Sequence, residues 1–118
     1  MEVSRSERPE DGFLQKVRAL ASGRGIVLLF DECTSGFRQT FGGLHKVYGV
    51  EPDMATFGKA LGNGYAITAT IGTRAVMAAA PSSYLSSTFW TERTAPPAPL
   101  KTLQLRARAR PGEPITET

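Results

Sequence analysis

The run IVLLF (Ile26–Phe30), five apolar residues in succession cut off by Asp31 and Glu32, most restricts the folds open to this chain. A strand with one solvated face alternates apolar and polar residues. Unbroken apolar character suits a strand covered on both faces, so a central strand of a parallel sheet is expected here. Upstream, Asp11–Ser22 sets Phe13, Leu14, Val17, Leu20 and Ala21 at helical spacing, with Asp11 a candidate cap and Gly23 the stop. Downstream, Met54–Gly58 and the β-branched Ala66–Gly72 read as second and third strands, Thr73–Ala80 as a short helix, and Ser86–Trp90 as a fourth strand. The glycine-rich stretch Cys33–Asp53 reads as a long loop with a short helix near Leu44–Tyr48. Alternating helices and buried strands make the expected class α/β, and 118 residues suffice for one domain.

Several function classes are disfavoured at once. Cys33 is the only cysteine, so no intramolecular disulfide can form and a reducing, cytoplasmic setting is expected. The first residues lack the apolar core of a secretion signal, and no apolar run approaches the roughly 20 residues that span a membrane. Net charge is +3, and much of the excess lies in RARAR (Arg106–Arg110). Such a run is usually a solvated basic tail, so no nucleic-acid partner is expected. His45 and Cys33 are too few and too poorly spaced for a zinc site, and His45 reads as an ordinary loop residue. Five of the eight prolines follow Thr94, and composition predicts disorder from about residue 104.

The chemistry concentrates around Asp31 and Lys59. Gly58–Lys59 is no phosphate loop, because Ala60 stands where that motif needs Ser or Thr, and GNGYAI lacks the third glycine of a dinucleotide fingerprint. Asp31 and Lys59 each directly follow a strand-like run, and ligands of open α/β sheets gather beyond the carboxyl ends of strands. On spacing alone, an ion pair at the sheet edge is as good a reading as two groups facing one pocket. Pyridoxal phosphate is the cofactor whose chemistry uses both. A lysine forms the imine with its aldehyde, and an acid keeps the pyridine nitrogen protonated so that the ring accepts electrons. Neighbouring glycines let the backbone approach such a ring closely.

The segments LLFDECTSGFR (Leu28–Arg38), FGGLHKVYGVEPDMATFGKALGNGY (Phe41–Tyr65) and SSTFWTER (Ser86–Arg93) resemble the class III aminotransferases, nearest to the glutamate-1-semialdehyde aminomutase-like group. The resemblance implies an incomplete part of the fold-type-I pyridoxal-phosphate-dependent transferase large domain, a mostly parallel sheet with flanking helices. By position, Lys59 is the implied Schiff-base lysine and Asp31 the implied partner of the pyridine nitrogen. Thr88 is implied to reach the cofactor phosphate of the neighbouring subunit in a homodimer. Glu32 is implied to hold the local network, and Cys33 stands where the family usually has a valine against the ring face. Ala66 replaces the usual proline, and Pro96, Pro97 and Pro99 fall where the family continues in an alanine-rich helix. The likeness is read over residues 1–103, as a fragment of the cofactor-binding large domain, with 104–118 a basic, proline-containing tail. The upstream phosphate loop and the downstream small domain of the family have no counterpart in these segments. The expected function is part of an enzyme moving an amino group between small-molecule donor and acceptor. The alternative is a catalytically inactive remnant that associates with a related subunit.

Overall fold

The computed structural model describes residues 7–93 and 95–108. Helix α1 (Phe13–Gly23) forms where the apolar periodicity placed it, but both ends are set by glycines in left-handed backbone. Gly12, at φ 74°, takes the N-terminal boundary, so Asp11 is not the cap. At the other end Gly25, at φ 64°, is the stop in place of Gly23. The Ile26 N–H bonds to the Ala21 carbonyl at 2.9 Å and the Gly25 N–H to that of Ser22 at 3.3 Å, the two bonds of a Schellman motif.

Strand β1 (Leu29–Glu32) runs parallel to β2 (Met54–Phe57), and β3 (Ala69–Gly72) pairs antiparallel on the other side of β2. The order β1-β2-β3 makes β2 the central strand, which corrects the expectation for Ile26–Phe30. That run enters the sheet three residues late and lies at its edge, with Ile26 54% and Leu29 47% exposed. Its apolar character is that of a strand with two neighbours, whereas β2 is its only sheet partner among the described residues. The sheet is therefore mixed.

Asp53 sets the parallel register. Its carboxylate accepts the Leu28 N–H at 2.7 Å and Arg18 of α1 at 2.8 Å, while its own N–H donates to the Leu28 carbonyl at 2.8 Å. The Thr73 N–H reaches the Asp53 carbonyl at 2.9 Å, so this residue also ties in the end of β3. The Leu28 N–H, followed by Arg18, holds the Asp53 carboxyl below the usual carboxylate range.

The core is small: Phe37, Ala55, Phe57 and Leu61, with Ala60, Ala69 and Leu103 packed against them. The Phe37 and Phe57 rings lie 5.3 Å apart. A Cβ on Gly36 would fall 2.7 Å from the Glu32 carbonyl oxygen, so only glycine lets this loop close onto β1.

Helix α2 (Arg74–Met77) is shorter than expected, and the predicted helix near Leu44–Tyr48 is a 3₁₀ helix. The predicted fourth strand is absent. Residues 88–91 form a turn in which Ser87 accepts the Phe89 N–H on its hydroxyl and the Trp90 N–H on its carbonyl, both at 3.3 Å. These local bonds occupy backbone groups that a sheet ladder would need. Helix α3 (Pro97–Arg108) starts at a proline, with Pro99 in its first turn, where a missing N–H costs nothing. The helix continues through residues 104–108, past the point where disorder was expected, and its Leu103 covers the core. Arg106 and Arg108 of the basic run lie in its last turn, favourable to the helix dipole. Residues 109–118, the rest of the expected tail, lie outside the described residues. No helix among the described residues is long and apolar enough to cross a membrane.

Candidate active site

Because β1 and β2 are parallel, their carboxyl ends lie side by side, with Asp31 opposite Thr56 and Glu32 opposite Phe57. Consecutive strand residues point to opposite faces, which separates the two carboxylates. Asp31 stands on the exposed face. Its Oδ1 accepts the Cys33 N–H at 2.9 Å and the Thr56 hydroxyl at 3.3 Å. The Cys33 N–H above all, with Thr56 adding less, keeps the Asp31 carboxyl below its ordinary range.

Glu32 turns inward and is 0% exposed. Its Oε1 accepts both the backbone N–H and the ring Nδ1–H of His45, each at 3.0 Å, and its Oε2 accepts the Ser35 hydroxyl. The proton is assigned to Nδ1 because its partner is an acceptor. Burial alone would raise this carboxyl; the donors from Ser35, the His45 and Leu44 backbones and the His45 ring outweigh it, and the result is a lowered pKa. His45 is 4% exposed, so it is a buried partner of Glu32 and not an ordinary loop residue. Its Nε2 faces the exposed Glu51 carboxylate at 3.8 Å.

Cys33 bridges the two strand ends. Its Sγ lies 3.8 Å from the Thr56 hydroxyl, and a Cβ on Gly58 would stand 3.5 Å from that sulfur. Lys59 follows Gly58 at once and begins a short 3₁₀ helix (Lys59–Leu61) with φ 40°, a left-handed backbone rare outside glycine, asparagine and aspartate. Its amine donates to the hydroxyl of Thr34, which is 6% exposed. Lys59 also borders an open groove of about 890 Å³, whose lining includes Tyr65, Thr68, Thr70, Ser87 and Phe89. Thr88 is exposed in the turn beyond and is not among the lining residues, although both of its neighbours are.

The structure thus brings Asp31, Glu32, Cys33 and Lys59 to one pair of strand ends; of these only Lys59 lines the groove, where it is joined by Ser87 and Phe89, the two neighbours of Thr88. Thr34, Ser35, His45 and Thr56 complete the network and were not singled out as site residues from sequence. The adjacency of Asp31 and Glu32 on a strand was the available signal, since one of the two had to face inward and find donors. An ionised carboxylate at the end of one strand, a lysine just past the end of its parallel neighbour with a groove against it, and a side-chain-free Gly58 suit an aromatic cofactor that has a basic ring nitrogen and an aldehyde. No group of three or more His, Cys, Asp or Glu among the described residues could hold a metal ion.

Comparisons with known proteins bear on the family of the chain. A 3-aminobutyryl-CoA aminotransferase of Cloacimonas acidaminovorans is 44% identical over 105 residues, 88% of this chain and 25% of that protein. A glutamate-1-semialdehyde 2,1-aminomutase of Citrifermentans bemidjiense is 48% identical over 69 residues, 58% of this chain and 16% of that protein. Among solved structures, the FumI protein of Sphingopyxis sp. MTA144, in its PLP internal aldimine form, superposes with a TM-score of 0.75 at 29% identity, over 79% of this chain and 22% of that one. The chain therefore spans a quarter or less of the length of these proteins. The family of class III aminotransferases matches residues 6–111, which carries the likeness past Leu103 and into the end of α3, and the chain belongs to that family.

Proposed function

We propose that this chain carries one wall of the pyridoxal-phosphate site of an aminotransferase or aminomutase, with Lys59 as the residue that bonds the cofactor. The observation that carries this reading is the placement of Lys59, in left-handed backbone, beyond the end of β2 and bonded to Thr34 in the turn that follows the parallel strand bearing the ionised Asp31. Bound pyridoxal phosphate supplies an electron-accepting ring to which an amino-group donor can be joined. Asp31 is suited to pair with the protonated ring nitrogen, and its lowered pKa keeps it charged for that task. Cys33, packed over Gly58, would lie against the ring, and Lys59, once released, would carry a proton. Glu32 acts through the turn that it anchors and does not itself touch cofactor. Thr88, exposed in its turn, is free to meet a cofactor phosphate held by a second subunit of a cytoplasmic homodimer. Small-molecule amines and carbonyl compounds are the matching substrates.

The deciding experiment mixes the purified chain with pyridoxal phosphate, reduces with borohydride, and maps the label by mass spectrometry, with Lys59→Ala as control. Label on Lys59 and not on Lys16, Lys46 or Lys101 is the expected result. Label scattered over all four, or none, refutes a working site in this chain.

A second reading, association with a related subunit without turnover, is favoured by the exposed apolar edge around Ile26 and Leu29. It predicts a stable heterodimer with a full-length family member and no label on Lys59.

A further inference from the structure

We infer that Thr34 is a positioning residue that holds the Lys59 amine in place before any cofactor arrives, an inference that deepens the proposed role of Lys59. Thr34 is buried, and its hydroxyl accepts a hydrogen bond from the Lys59 amine. The turn that presents it is fixed on every side. The Gly36 N–H closes onto the Glu32 carbonyl at 2.8 Å, and Gly36 has no Cβ to keep the two apart. The Glu32 carboxylate holds Ser35 on one oxygen and both His45 donors on the other. Thr34 is itself β-branched and stiff about χ1, so its hydroxyl has little freedom to move away.

Lys59 meets this fixed acceptor from a backbone that is also constrained, at φ 40°. Lysine has more rotamer freedom to lose than almost any side chain. Held by Thr34, the amine has lost much of that freedom in the folded chain, and attack on an aldehyde no longer has to bear it. The Glu32–Ser35–His45 cluster is then the buried footing of the acceptor.

The contact can be tested without cofactor by trace acetylation of the whole chain with acetic anhydride, read lysine by lysine by mass spectrometry. Lys16, Lys46 and Lys101 serve as internal references. In the native chain Lys59 should react more slowly, relative to these three, than it does in 6 M urea (about 6 M, enough to unfold a small domain). Thr34→Val removes the hydroxyl at constant shape and should raise the relative rate at Lys59 about fivefold, the worth of one ordinary hydrogen bond. Thr34→Ser keeps the hydroxyl and should stay within about twofold of the native chain, since the bond is retained. An unchanged Lys59 rate in Thr34→Val, or a serine variant that behaves like the valine one, overturns the inference. If Thr34→Val does not fold, Thr34→Ala takes its place, with the same rise of about fivefold expected and an unchanged Lys59 rate overturning the inference. With pyridoxal phosphate and borohydride, Thr34→Val should label Lys59 more slowly than the native chain. A native chain that shows the acetylation pattern but takes no label would refute the cofactor role of Lys59 and leave the Thr34 contact standing.

Discussion

Replacing Glu32 tests whether its buried carboxylate is the footing of the site. The side chain is 0% exposed and accepts the His45 N–H, the His45 Nδ1–H and the Ser35 hydroxyl. In Glu32→Gln the amide oxygen can keep both His45 bonds while the amide nitrogen donates to Ser35, whose hydroxyl can turn to accept. What disappears is the charge on the acceptor. Hydrogen bonds to charged groups contribute about 1 kcal/mol more than neutral ones, so two such bonds put the loss at about 2 kcal/mol. Glu32→Ala leaves all three donors without their acceptor and opens a cavity, for a loss of about 4 kcal/mol. Urea unfolding followed by far-ultraviolet circular dichroism reads both. At a slope of roughly 1.5 kcal/mol per molar, the glutamine variant should unfold a little over about 1 M earlier than the native chain. Set against a total of about 5 kcal/mol, the low end for small domains, the alanine variant should keep only about 1 kcal/mol, with roughly one chain in six unfolded before any urea is added. The pH dependence adds a second reading. The folded-state pKa of Glu32 lies below its ordinary value of 4.5, so its contribution is complete above that value and is lost as pH falls through the lowered native one. The gap between native chain and Glu32→Gln should therefore close on acidification below 4.5 and stay constant above it. A Glu32→Ala variant within about 1 kcal/mol of the native chain would refute the reasoning, because no buried, charge-assisted network can be that cheap to remove.

Further outcomes follow from other residues. Lys59→Gly should be more stable than Lys59→Ala by about 1 kcal/mol in the same urea assay, because glycine alone adopts φ 40° without a Cβ penalty. Equal stability would mean that the left-handed backbone is not strained. Gly36→Ala should cost about 2 kcal/mol or more, since the new Cβ would sit 2.7 Å from the Glu32 carbonyl oxygen and the Glu32 turn must open. Its Lys59 should also acetylate faster, as in Thr34→Val. Asp53→Asn should lower stability at neutral pH, and this difference should vanish as pH falls through the depressed native pKa of Asp53, below the ordinary 3.8. Asp31→Asn should lower stability slightly at neutral pH, by less than Glu32→Gln because this carboxylate is exposed, and the difference should vanish as pH falls through its lowered native pKa. The same variant should weaken pyridoxal-phosphate labelling of Lys59 by about tenfold, the effect of removing one charge pair.

Much of the secondary structure was legible because it is local. The helix over Phe13–Gly23 follows from a 3.6-residue periodicity, and β2 from a short apolar run that stops at Gly58–Lys59. The stop of the helix was read two residues early because Gly23 and Gly25 look alike in sequence, and only the Schellman bonds show which one adopts left-handed backbone. Ser86–Trp90 has the composition of a strand, yet composition does not say that Ser87 will claim the nearby N–H groups. Pro96, Pro97 and Pro99 fall where the family continues in a helix, and in the fold Pro97 and Pro99 occupy the first turn of α3, where a proline can sit.

The site divides in the same way. The sequence by itself determined that an acidic pair and a lysine each follow an apolar run, and hence that they come to neighbouring strand ends once those runs pair in parallel. It did not determine which of Asp31 and Glu32 faces out. Alternation along a strand is a local rule, but which face is covered depends on what packs against it. Here the loop bearing Ser35 and His45 folds onto the Glu32 side, which left Asp31 on the open face. Only the tertiary structure made His45 a buried partner, set Lys59 against Thr34, and put Ile26–Phe30 at the edge of the sheet. Each of these rests on a contact between residues 13 or more positions apart, or on a neighbouring strand being present or absent, and neither leaves a trace in local pattern.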